Sequence, residues 1–199
     1  MRRSALSTLL EDRMDRPDTV TAPPAAQPLD VEALRALVRD VPDFPQPGIL
    51  FRDITPLLAS PAAFRAAVDA LAAPYHGITT VVAIESRGFI IGAPVAYALG
   101  AGLVPVRKMG RLPSETLRAD YTLEYGTNSV EIHADAIKPG ERVLIVDDLL
   151  ATGGTVRAAA QLVEQIGAVI AGIAVLAELS DLNGRAAVDR YDVTSLIVY

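Results

Sequence analysis

One stretch of this chain constrains fold and chemistry together: Val143 to Thr155, thirteen residues reading V-L-I-V-D-D-L-L-A-T-G-G-T. Val143–Val146 is an aliphatic, mostly β-branched run of strand length, and Asp147 and Asp148 stand where such a strand ends. Ala151, Thr152, Gly153, Gly154 and Thr155 then make a tight polar turn. Its glycines permit close backbone approach and positive φ, its threonines supply hydroxyls, and the amides heading the next helix are free to receive an anion. A carboxylate pair beside a phosphate site repels the phosphate unless ribose hydroxyls or Mg²⁺ intervene. The two common nucleotide loops do not fit. No lysine follows Gly154, as G-x-x-x-x-G-K-[ST] requires, and the nearest approach to G-x-G-x-x-G, Gly100-Ala101-Gly102, precedes a strand. What remains is a loop suited to a ribose 5-phosphate, with sugar hydroxyls facing the aspartates and phosphate on the helix N-terminus.

Aliphatic runs at Val81–Ile84, Leu103–Val106, Val143–Val146 and Val169–Leu176, separated by helical segments, predict strands buried on both faces of a parallel sheet, hence an α/β fold. A helix is expected from Asp30 as N-cap through Val31, Leu34, Leu37, Val38 and Val41, ended by Pro42, and another from Ser60-Pro61. Tyr121–Tyr125 and Ser129–His133 alternate around Gly126-Thr127-Asn128, which predicts a β-hairpin. Residues 1–28 end Pro/Ala-rich and are read as a poorly ordered tail, leaving 29–199 as one domain.

Composition excludes several classes. With 51% hydrophobic residues in 199, one domain with a full core is expected. Zero cysteines rule out disulfides, zinc-thiolate sites and a thiol nucleophile, and His76 and His133 are too few for a histidine metal cluster. A net charge of −6 argues against nucleic acid as a partner. No run is long and apolar enough to span a membrane and no apolar signal segment opens the chain, so a cytoplasmic location is expected.

Two further turns carry charge at strand ends, where open α/β sheets gather ligands. Glu85-Ser86-Arg87-Gly88 follows the first strand, and its amides with Arg87 suit another anion. Arg107-Lys108-Met109-Gly110-Arg111 follows the second; its cations suit a pyrophosphate, and the segment from about 107 to 133 suits a lid.

Together with D-F-P-Q-P-G-I-L-F-R-D-I-T-P-L-L (Asp43 to Leu58), I-E-S-R-G-F (Ile84 to Phe89), R-K-M-G-R-L-P (Arg107 to Pro113) and L-E-Y-G (Leu123 to Gly126), the opening motif closely resembles that of type I phosphoribosyltransferases, and the set in this order resembles the adenine-specific branch. The resemblance implies a central parallel sheet flanked by helices, an N-terminal hood over about 29–58, a hairpin lid and a homodimer. It implies that adenine and 5-phosphoribosyl 1-pyrophosphate are converted, with Mg²⁺, to AMP and pyrophosphate. Asp147 and Asp148 would bind the ribose hydroxyls directly or through the ion, which is held mainly by substrate, and Ala151 to Thr155 the 5-phosphate. Glu85 and Ser86, joined by a cis peptide, with Arg87, Arg107, Lys108 and Arg111, would bind pyrophosphate. Phe51 would stack on adenine, with the Leu50 backbone and Arg87 beside it. Glu124 would accept or relay the purine's proton, or only position the base, while Tyr125 shields the reacting sugar from water. A transferase of other base specificity, or a non-catalytic sensor of the same sugar phosphate, are the alternatives.

Overall fold

The four aliphatic runs form the centre of a seven-stranded sheet in the computed structural model, which describes residues 30–123 and 126–199, the side chains of 122, 123, 126 and 127 excepted. The tail read at residues 1–28 lies outside the described residues. In chain order the elements are α1 (Val31–Arg35), β1 (Arg39–Pro42), β2 (Leu50–Asp53), α2 (Thr55–Ala59), α3 (Pro61–Ala72), β3 (Thr80–Ile84), α4 (Arg87–Leu99), β4 (Gly102–Lys108), β5 (Thr116–Leu123), β6 (Gly126–His133), β7 (Arg142–Leu150), α5 (Gly154–Ile166), β8 (Val169–Glu178), 3₁₀ turns Ser180–Leu182 and Gly184–Val188, and β9 (Val193–Val198).

The sheet runs β5-β6-β4-β3-β7-β8-β9. Its five strands from β4 to β9 pair in parallel, and the β5–β6 hairpin joins antiparallel through Arg107↔Glu131 and Lys108↔Val130. Strand periodicity divides β7 between two cores: Leu144 and Val146 point to the side of α3 and α4, Val143 and Ile145 to the side of α5. With both faces of β7 covered, alternation disappears from its sequence and a continuous apolar run remains, as expected of a buried parallel strand; β4 differs, its Leu103 being 44% exposed while Val104 and Val106 are buried.

Three expectations need correction. The Asp30 cap is present, its carboxylate accepting from Ala33 N at 2.8 Å, but α1 stops at Arg35. Residues 39–42 instead form β1, where Val41 opposes Phe51 in an antiparallel pair with β2. A helix through Val41 would have left the β2 backbone without that partner. Second, the hairpin is longer than predicted and turns elsewhere: Leu123 pairs with Gly126 and Tyr121 with Asn128, so Gly126-Thr127-Asn128 belongs to β6 and does not form the turn. Third, β9 was not foreseen. V-T-S-L-I-V is a half-exposed edge strand with little apolar contrast, and pairing with β8 is what makes it a strand.

Candidate active site

The parallel strands end at a cleft of about 450 Å³ lined by Glu85, Ser86, Arg87, Lys108, Arg111, Tyr121, Val130, Asp147, Asp148 and Thr155. Residues from the three turns singled out in the sequence therefore meet. Two glycines let α4 lie close enough to do this. A Cβ on Gly88 would stand 2.7 Å from Asp147 Oδ1 and 3.2 Å from the Val146 carbonyl, and one on Gly92 would stand 2.6 Å from Ala83 Cβ. The start of α4 is thereby pressed onto the end of β7, and Arg87 Nε reaches Asp148 Oδ2 at 2.8 Å.

Both aspartates are buried, at 9% and 6% exposure, and the Asp148 amide donates to Asp147 Oδ1 at 2.9 Å. Burial, and then the neighbouring Asp148 charge, push the Asp147 carboxyl well above the usual range. Burial also raises Asp148, against the opposing pull of Arg87. Asp147 makes no ion pair among the described residues. Such a pair of hard oxygen donors, under-compensated by the protein, suits sugar hydroxyls and a magnesium ion held chiefly by its substrate.

The Glu85–Ser86 peptide is cis, as the resemblance implied. Glu85 itself departs from its expected role as an anion contact. Its amide donates to the Val106 carbonyl at 2.9 Å, while its buried carboxylate accepts from Arg107 Nε at 3.2 Å, the Lys108 amide at 3.1 Å and Arg111 Nη1 at 2.6 Å. A carboxylate with its amide engaged offers an anion nothing; Glu85 instead holds the cations that face the cleft. Arg107 does not line the cleft but braces the turn, donating through Nη1 to the Arg111 carbonyl at 2.9 Å.

Sequence reasoning missed a second carboxylate under this turn. Glu131 on β6 is buried and accepts from the Arg111 amide at 2.8 Å and the Leu112 amide at 2.9 Å. Burial raises its pKa, but the Leu112, Arg111 and Gly110 amides more than offset this and hold it below the ordinary glutamate range. No local sequence signal distinguishes Glu131 from a solvated strand residue.

The loop Ala151 to Thr155, read from the sequence as a phosphate cradle, is shaped by Gly153, which caps α5 with φ of 79°. A Cβ there would collide with the Gly184 carbonyl and come within 2.8 Å of Ala187 Cβ. At the head of α5 the amides of Gly154, Thr155 and Val156 have no intrahelical acceptor and are free to receive an anion. Of Ala151 to Thr155, Thr155 lines the cleft.

Hood and cleft meet at Arg87. Its guanidinium lies 4.7 Å above the Phe51 ring and its Nη1 donates to the Arg52 carbonyl at 3.3 Å. Phe44 packs edge-on against Phe51 with centroids 5.1 Å apart. Arg87, expected at both pyrophosphate and base, makes its described contacts with Phe51, the Arg52 carbonyl and Asp148. The Leu50 side chain is exposed and borders a separate groove with Ile49, Arg52, Leu182 and Tyr199, which leaves only its backbone for a ligand beside Phe51. Glu124 and Tyr125 lie outside the described residues. Tyr121, on the preceding strand and unremarked as a site residue in the sequence, is buried in the cleft wall.

Residues 55–198 match the family model described as phosphoribosyl transferase domain. An adenine phosphoribosyltransferase from Acidothermus cellulolyticus is 56% identical over 173 residues, spanning 85% of this chain and 98% of the relative. A crystal structure of adenine phosphoribosyltransferase from Thermoanaerobacter pseudethanolicus superposes with a TM-score of 0.82 at 51% identity, covering 85% of this chain and 99% of that one. The Saccharomyces cerevisiae enzyme, solved with an imino-altritol bisphosphate and adenine, gives a TM-score of 0.79 at 41% identity over 83% and 97% of the two chains.

Proposed function

We infer the function from the premise that this chain belongs to the phosphoribosyl transferase family. It acts in purine salvage, transferring the 5-phosphoribosyl group from 5-phosphoribosyl 1-pyrophosphate to adenine to give AMP and pyrophosphate. The observation that carries this reading is the likeness to adenine-specific enzymes over 85% of the chain. The continuous path from Phe51 through Arg87 to Asp148 supports it, since it links an aromatic face to the aspartates proposed for the ribose hydroxyls.

The division of labour we propose starts at the sugar. The 5-phosphate sits on the amides of Gly154 and Thr155 with the hydroxyls of Thr152 and Thr155, while the ribose hydroxyls face Asp147 and Asp148. Arg111 and Lys108, oriented by Glu85, neutralise pyrophosphate together with the Ser86 backbone. Adenine lies on Phe51 with its edge toward the Leu50 backbone. A carbonyl acceptor there favours the exocyclic amine of adenine and is left unpaired by the oxo group of hypoxanthine. Mg²⁺, carried by the substrate against the aspartates, would offset charge on the leaving group. As the bond to pyrophosphate breaks the sugar becomes oxocarbenium-like, and the attacking base must lose a proton; Glu124 accepts or relays it, and Tyr125 shields the cation.

The proposed homodimer is supported by exposed apolar side chains on one face of α4, where Ile90 and Tyr97, seven residues apart, are 46% and 91% exposed. A cytoplasmic location is part of the same proposal. The function is tested by supplying purified protein with 5-phosphoribosyl 1-pyrophosphate, Mg²⁺ and one of adenine, guanine or hypoxanthine. AMP formation from adenine is expected, and turnover confined to another base would overturn it. Glu124→Gln should lower kcat by about 10²-fold or more with little change in either KM, as loss of a proton-transfer group does.

A further inference from the structure

The phosphate loop rests on a support that the transfer chemistry does not itself require. Gly153 in the loop touches the 3₁₀ turn Gly184–Val188, and the approach is mutual, because a Cβ on Gly184 would collide with the Ala151 carbonyl. Two glycines, 31 positions apart in sequence, thus bring two backbones into direct contact. The loop can hold its shape only if that turn stays where it is.

Arg185, next to Gly184, anchors the turn. Its Nε and Nη2 donate to the two carboxylate oxygens of Glu178, each at 2.8 Å, and Nη1 donates to the Val193 carbonyl at 3.1 Å. Ser195 Oγ closes the cluster on Glu178 Oε2. Glu178 is buried at the end of β8, in register with Leu150, the residue that leads into the loop, and the Leu179 amide donates to the Leu150 carbonyl at 2.9 Å. The cluster therefore grips the loop from both sides, through β8 at its entry and through Gly184 at its base. Neither Glu178 nor Arg185 lines the cleft.

Packing alone does not call for this pair, since apolar side chains of similar volume stabilise a fold as well or better. A two-pronged guanidinium–carboxylate pair instead fixes direction as well as distance. It also neutralises a buried carboxylate that would otherwise repel a phosphate dianion bound one strand away.

We propose that Glu178 and Arg185, with Ser195, are positioning residues for the 5-phosphate site, acting through Gly184 on the Gly153 turn. The inference deepens the transferase reading above and rests on it for the identity of the ligand.

The test uses the full chain and its Arg185→Ala, Arg185→Lys and Glu178→Gln variants. Calorimetry with ribose 5-phosphate measures the dissociation constant, and steady-state kinetics measure both KM values. In Arg185→Ala the constant for ribose 5-phosphate and the KM for 5-phosphoribosyl 1-pyrophosphate should each rise about tenfold or more, as misplaced binding groups do. The adenine KM should stay within about twofold and kcat within about threefold, since neither base nor reacting atoms are touched. Arg185→Lys keeps the charge but loses the fork, so it should fall between Arg185→Ala and the parent. If Arg185→Ala does not fold, the milder pair decides. Unaltered ribose 5-phosphate binding in folded Arg185→Lys and Glu178→Gln would overturn the proposal, and so would equal rises in both KM values, which indicate general loosening. Ribose 5-phosphate binding needs no turnover, so failure of the parent to make AMP would sink the transferase reading while the variants still decide this one.

Discussion

Replacing Gly153 by alanine tests how the proposed phosphate loop is built, and a matched control separates the two costs involved. Gly153 and Gly100 both adopt positive φ, 79° and 65°, but a Cβ on Gly100 meets nothing within 4 Å. Gly100→Ala should therefore cost only the left-handed backbone penalty of about 1–2 kcal/mol, partly offset by about 0.4–1 kcal/mol from the stiffer unfolded chain. Gly153→Ala bears the same terms and in addition must displace the Gly184 carbonyl and Ala187 Cβ, which no side-chain rotation can relieve. Overpacking of this kind costs about 1–3 kcal/mol. For a chain of this size each kcal/mol moves Tm by about 2–4 °C, so Gly153→Ala should melt about 2–12 °C below Gly100→Ala. If the loop yields instead of the turn, one charge-assisted contact to phosphate is lost, worth about 1.5–3 kcal/mol. That raises the KM for 5-phosphoribosyl 1-pyrophosphate about 10- to 150-fold and leaves adenine KM unchanged. Calorimetric melting of both variants and initial rates with each substrate varied would check this. Equal Tm values together with an unchanged KM would refute the claim that close backbone contact shapes the loop.

Other perturbations probe the remaining parts. Phe51→Ala should raise the adenine KM about 5- to 150-fold, the worth of stacking one base at about 1–3 kcal/mol, with the other KM little moved; initial rates at varied adenine check it. Arg87→Ala strips the only ion pair described for Asp148 and the hood contact at Arg52, so kcat/KM for both substrates should fall together by about 10²-fold or more, in contrast to Phe51→Ala. Glu131 has a depressed folded pKa, so its contribution to stability is full above the ordinary glutamate value of 4.5 and is lost as pH falls through the folded value. Glu131→Gln, which accepts the same amides without charge, should unfold about 1–2 kcal/mol more easily at neutral pH, and the gap should close under acid; denaturant titrations across pH would show it.

The legible parts of the site were those whose chemistry lies within one short segment. Asp147, Asp148 and the glycine-rich turn follow one strand in immediate succession, and Arg87 and Gly88 do the same after β3, so strand-end placement put them in a common crevice. Val41 misled because its spacing from Val31, Leu34 and Val38 fits a helix, whereas pairing with Phe51 across a loop decided the matter. Glu85 looked like part of an anion-binding turn because local reading sees Glu-Ser-Arg as a unit. Only the approach of Arg107 and Arg111 from the neighbouring strand shows the carboxylate already engaged. Glu131 and Glu178 gave no signal, since a charged residue in a strand is read as solvated until its partners are seen.

By itself the sequence determined the parallel sheet, through strand runs, glycines and caps, and the family and kind of base, through contiguous motifs shared with adenine-specific relatives. Tertiary structure alone decided which charges are available to a ligand. Whether Glu85, Glu131, Arg87 or Arg185 meets substrate or another side chain depends on residues from 7 to 61 positions away, such as Arg185 on Glu178 and Arg87 on Asp148, which local sequence patterns do not encode.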